Sequence, residues 1–72
     1  METKRERFVR IAENRTNKIL DMIRLLGNCS HRGNYEYAEA DVQKIFATIE
    51  KELKMAKMKF ANTEDEESKF KL

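Results

Sequence analysis

The chain has no proline, no tryptophan, two glycines and one cysteine. Each scarcity excludes something. With no proline, and glycine only at Gly27 and Gly33, the residues that break helices are nearly missing, so helices can run long. The lone Cys29 has no partner for an intrachain disulfide and suits a reducing compartment. No apolar run has the shape of a signal-peptide core, and none is long enough to span a bilayer. The expected location is therefore the cytoplasm, with no membrane partner. There the glycosylation-like triplets Asn14-Arg15-Thr16 and Asn28-Cys29-Ser30 carry no meaning. At 72 residues the chain makes one domain at most, and a domain this small buries only ~60% of its unfolded surface. Without disulfides, the usual remaining support is a metal or a partner chain.

What is abundant is charge. Charged residues make up 39% of the chain, which suits long helices with solvated faces. The net charge of +2 hides an asymmetry: residues 1–33 carry eight Lys/Arg against four acids, and residues 34–72 carry seven against nine. An arginine-rich first half points to a polyanion on that side.

The organising apolar pattern lies in residues 42–60. Val42, Ile45, Phe46, Ile49, Leu53, Ala56 and Phe60 recur in steps of three and four, which puts them on one face of a helix. This predicts a second helix over about 39–62. Glu39 and Asp41 sit at the positive end of its dipole, and Lys54, Lys57 and Lys59 at the negative end. A first helix is predicted over about 3–26, opened by the capping-box spacing of Thr3 and Glu6. Its apolar face is wider: Phe8, Ile11, Ala12, Ile19, Met22, Ile23 and Leu26, flanked by Val9, Thr16 and Leu20. Gly27 suits a left-handed C-cap after Leu26. Residues 27–38 form a long loop in which Tyr35 and Tyr37 can fold back over its end. Residues 63–72 read as an acidic flexible tail, with Phe70 and Leu72 either docked or free.

Two helices on one loop must run antiparallel. Equal rise along both sets position i opposite roughly 65 − i, so Ile19 faces Phe46, Ile23 faces Val42, and Arg15 faces Glu50. The fold class expected is all-α: an antiparallel two-helix hairpin. The wide face of the first helix calls for more cover than one narrow stripe, which favours a homodimer closing into a four-helix bundle. A monomer with its C-terminal tail laid over that face is the alternative.

Few residues carry chemistry. Arg15 interrupts the apolar face between Ala12 and Ile19. One reading pairs it structurally with Glu50; the other keeps it for a phosphate or carboxylate. Cys29 and His31 are too few for a zinc site, and they lack the orienting group of a catalytic pair. Cys29 reads better as a half-buried filler and His31 as a solvated loop residue. No metal, cofactor or catalytic residue is expected, and an enzyme is a distant third among the function classes. Arg10 and Arg24 lie on the back of the first helix, with Lys18 and Arg7 to one side and Glu13 and Asp21 interrupting them; these cations could track phosphates. Their plain reading is a solvated face with pairs such as Glu6–Arg10. In the loop, Arg32, Asn34 and Tyr35, beside His31, combine a cation, an amide and an aromatic able to hold a phosphate and stack on a base. Met55 and Met58 lie off the stripe of the second helix, as surface residues or an adaptable protein-binding patch.

Several stretches carry a resemblance: Arg15-Thr16-Asn17-Lys18, Ile23-Arg24-Leu25-Leu26-Gly27-Asn28, Asn34-Tyr35-Glu36-Tyr37 and Asp41-Val42-Gln43-Lys44-Ile45-Phe46. Over most of residues 5–60 the chain resembles a family of short, uncharacterised helical proteins encoded on mobile genetic elements of Gram-positive bacteria. Such relatives often carry Ser or Thr before the second helix, where this chain has Ala38; the resemblance then implies a weaker cap here. It brings no catalytic motif. It implies a mobile-element context in which small basic helical proteins act as accessory DNA-binding factors, regulators, or inhibitors of host proteins. The leading expectation is a non-enzymatic accessory or regulatory module binding DNA or RNA through the first helix and the loop. The alternative is a protein-interaction module acting through the apolar face of the first helix or the acidic tail.

Overall fold

A computed structural model describes the backbone of residues 1–69 and the side chains through residue 61. The described residues hold two α-helices, α1 (Lys4–Asn28) and α2 (Glu39–Lys69), and no strand. The chain divides into two units, Met1–Glu36 and Tyr37–Leu72, each built on one of the helices.

The start of α1 follows its sequence signature. Thr3 is extended, at φ −72 and ψ 165. Its Oγ1 accepts from the Glu6 N–H at 3.0 Å, and the Glu6 Oε1 accepts from the Thr3 N–H at 3.0 Å. Two donors that the first helical turn would leave orphaned are thereby satisfied reciprocally.

The end of α1 departs from expectation. Gly27 is not a left-handed cap: the helix continues through it to Asn28, and no described residue has a positive φ. The C-cap residue Cys29 is itself right-handed, at φ −69 and ψ −5. Its N–H reaches the Leu26 carbonyl at 3.0 Å, Ser30 that of Gly27 at 3.1 Å, and His31 that of Asn28 at 3.4 Å. This run of i to i+3 bonds tightens the helix end and satisfies its last carbonyls without a left-handed residue. A Cβ built at Gly27 meets nothing within 4 Å, so neither backbone nor space requires glycine there.

Residues 29–38 connect the helices. Asn34 and Tyr35 both donate their N–H to the His31 carbonyl, at 3.0 and 3.1 Å. The His31 imidazole lies across Gly33, where a Cβ would come within 2.8 Å of Cε1. Tyr35 is exposed, while Tyr37 is half-buried.

Before α2, the Ala38 N–H donates to the Asp41 Oδ2 at 2.8 Å, and the Ala38 carbonyl accepts from Asp41 and Val42 at 3.0 and 3.3 Å. This is half a capping box. Asp41 reaches back, but alanine has no oxygen to return the bond. Within α2 the Thr48 hydroxyl donates to the Lys44 carbonyl at 2.8 Å. The backbone stays helical to Lys69, beyond the end near residue 62 read from the acidic run. No proline or glycine interrupts the stretch, and glutamate and lysine are good helix formers. Phe70 and Leu72 lie outside the described residues.

No described side chain is buried. On α1 the half-buried apolar residues are Val9, Ile11, Ala12 and Leu26, while Ile19 is 57% exposed. On α2 Val42 and Ile49 are half-buried and Phe60 is 67% exposed. A lone helix cannot cover its own apolar stripe, and among the described residues neither unit contains a second element to cover it.

Candidate nucleic-acid interface

The cations singled out in the sequence share a face of α1 because of their spacing. At ~100° per residue, Arg7, Arg10, Lys18 and Arg24 fall within an arc of about 120°. From Arg7 to Arg24 the row is about 25 Å long, at 1.5 Å per residue. Asp21 lies within the arc and Glu13 at its edge.

Three of the four cations already face a carboxylate. The strongest arrangement is at the start of α1. Glu2, just before the cap residue, folds back along the helix. Its Oε2 takes the Arg10 Nε at 2.7 Å and its Oε1 the Arg10 Nη2 at 3.0 Å. Arg7 Nε stands 3.8 Å from the same Oε1. Side chains on a helix lean toward its N-terminus, which brings both guanidinium groups to Glu2. The bidentate fork suits arginine and a carboxylate. Donation of its hydrogen bonds to the Glu2 carboxylate raises the Arg10 pKa above its ordinary value. Further along, Arg24 Nη1 meets Asp21 Oδ1 at 3.4 Å, with both side chains mostly exposed. Lys18 is exposed.

This overturns one pairing read from the helical repeat. Arg10 does not take Glu6, four residues earlier, because the Glu6 carboxylate is committed to the Thr3 N–H. Hydrogen bonds from the Thr3 backbone and side chain also hold the Glu6 carboxyl below its ordinary pKa. Glu2 gave no signal in the sequence: a separation of eight, with one partner outside the helix, belongs to neither the i,i+3 nor the i,i+4 pattern. The placement of Arg5 over the Phe8 ring, 5.7 Å from its centroid, was also unread. Its i,i+3 spacing could have indicated it.

Arg32, Asn34 and Tyr35 belong to the same unit as α1. The His31 carbonyl ties the backbones of Asn34 and Tyr35 together. These three follow the C-terminal end of α1, whereas Arg7 and Arg10 lie in its first two turns. The seven predicted contacts therefore spread along one unit and do not converge on a pocket.

Arg15 is exposed and forms no ion pair within its own unit; Glu50 is exposed on α2. Cys29 is exposed, not the half-buried filler expected, and its thiol faces the Leu25 carbonyl at 3.9 Å. Among the described residues no three His, Cys, Asp or Glu side chains gather as metal ligands. Among them too, no helix is long and apolar enough to cross a membrane. Comparison of the chain with protein families, characterised proteins and solved structures found no match to any of them.

Proposed function

We propose that the protein is a small, non-enzymatic accessory or regulatory module that binds nucleic acid through α1 and the loop that follows it. The observation that carries this reading is the row of exposed cations on one face of α1. Arg7, Arg10 and Arg24 keep 61%, 63% and 73% of their side-chain surface open to solvent, and Lys18 lies in the same arc. Such a row tracks a phosphate backbone, and Arg32, Asn34 and Tyr35 would add local contacts at its far end. The resemblance to mobile-element proteins suggests the setting, a bacterial cytoplasm. The test is a mobility-shift assay with duplex DNA and single-stranded RNA at low salt. Binding that weakens steeply as salt rises supports the reading, and no shift with either probe overturns it.

The proposed assembly is an antiparallel hairpin of α1 and α2, paired with a second copy in a four-helix bundle. It would cover the apolar faces that each unit leaves open, and it would set Arg15 opposite Glu50. A second reading draws on those same faces. Phe8, Ile19, Met22 and Ile23 of α1 are all exposed, which suits a module that docks on another protein. Salt separates the two, since apolar docking survives salt that releases phosphate contacts.

A further inference from the structure

We infer that Glu2 is an intramolecular competitor for the phosphate-binding site formed by Arg7 and Arg10. The inference deepens the nucleic-acid reading and rests on it. Glu2 presents two oxygens to the two guanidinium groups, with contacts of 2.7 and 3.0 Å to Arg10 and 3.8 Å to Arg7. A phosphodiester offers the same chemistry, two anionic oxygens suited to a planar arginine fork. The carboxylate therefore stands where a backbone phosphate would bind, and the phosphate must displace it.

The contact is built to be reversible. Glu2 lies outside the helix, one residue before the cap, so its withdrawal breaks none of the hydrogen bonds of α1. The Thr3–Glu6 capping box holds the helix end independently. Arg7 and Arg10 stay mostly exposed with Glu2 in place, while the Glu2 side chain is only 32% exposed. A phosphate can thus approach the arginines from the open side while the carboxylate is still engaged. Asp21 on Arg24 is a weaker case, with one contact at 3.4 Å between two largely exposed groups.

The experiment compares the wild type with E2Q, E13Q, R10Q and E2Q/R10Q, using short duplex DNA and single-stranded RNA of the same sequence at low salt. E2Q keeps the shape of the side chain and removes its charge. E13Q removes one unit of negative charge from α1 at a residue that forms no ion pair with Arg7 or Arg10, so it measures the general electrostatic gain. An exposed ion pair competes weakly, so E2Q should bind about two- to fivefold more tightly than the wild type. That gain should exceed the E13Q gain and vanish in the R10Q background. Circular dichroism should give equal helicity for E2Q and the wild type. If both bind but E2Q is no tighter than E13Q, or its gain persists in R10Q, the Glu2 inference falls and the nucleic-acid reading stands. If neither the wild type nor E2Q shifts either probe, both fall. A gain on DNA alone or on RNA alone supports the inference and identifies the source of the phosphate.

Discussion

Single residues decide how the two helices end. Gly27 sits in right-handed helix with open space where a side chain would go. Replacing it with alanine should therefore stabilise α1, by about 0.5–1 kcal/mol, because alanine loses less backbone freedom in a helix. A left-handed cap at this position would reverse the sign, so thermal unfolding of Gly27→Ala distinguishes the two conformations. Gly33 differs: a Cβ there meets the His31 ring at 2.8 Å, although the imidazole terminates a side chain free to turn aside. Ala38 offers a second gain. Asp41 already accepts its N–H, so Ala38→Ser would supply the missing half of the capping box. A stabilisation of about 1 kcal/mol is expected, read as a higher melting temperature and greater helicity at fixed concentration.

At the scale of the element, α1 carries its own pH dependence. The Glu6 carboxyl is held below its ordinary pKa by the hydrogen bonds of the Thr3 cap. A group depressed in the folded state contributes stability that is fully present above the unfolded value, about 4.3 for glutamate. The contribution is lost as pH falls through the folded value. Helicity should therefore drop on acidification below about pH 4. Glu6→Gln, which keeps a capping acceptor but does not titrate, should flatten that part of the profile. Equal acid profiles for the two proteins, followed by circular dichroism, would show that the charge on Glu6 contributes nothing. At the start of α2 the box is incomplete, since Ala38 carries no side-chain oxygen to return the bond that Asp41 accepts.

At the scale of the whole molecule the apolar faces of α1 and α2 call for cover. Each unit leaves its own face open, and the proposed assembly covers both. A dimer of hairpins should give twice the chain mass by light scattering at micromolar concentration, and a melting temperature that rises with concentration. A single-chain mass throughout would rule that assembly out. The hairpin register has a separate test. If the proposed hairpin sets Arg15 beside Glu50, replacing each alone and both together should leave a coupling energy of about 0.5 kcal/mol or more in thermal unfolding. Additive losses would mean that the two side chains do not meet.

Local sequence carries the presence of two helices, where each begins, and which residues share a face. Steps of three and four, the Thr3–Glu6 spacing and the lack of proline act through local sterics and backbone hydrogen bonding, and these are written residue by residue. The α2 stripe and the cation row of α1 were legible for the same reason. Three features emerged only from the folded arrangement. Glu2 reaches back eight residues to Arg10, the backbone passes Gly27 without turning left-handed, and the His31 ring lies over Gly33. The first and third depend on where a non-helical backbone segment points, the second on how the last helical turn closes, and no periodicity encodes either. Periodic patterns mark which residues share a helix face, while the path of the chain at a helix end decides which charges meet there.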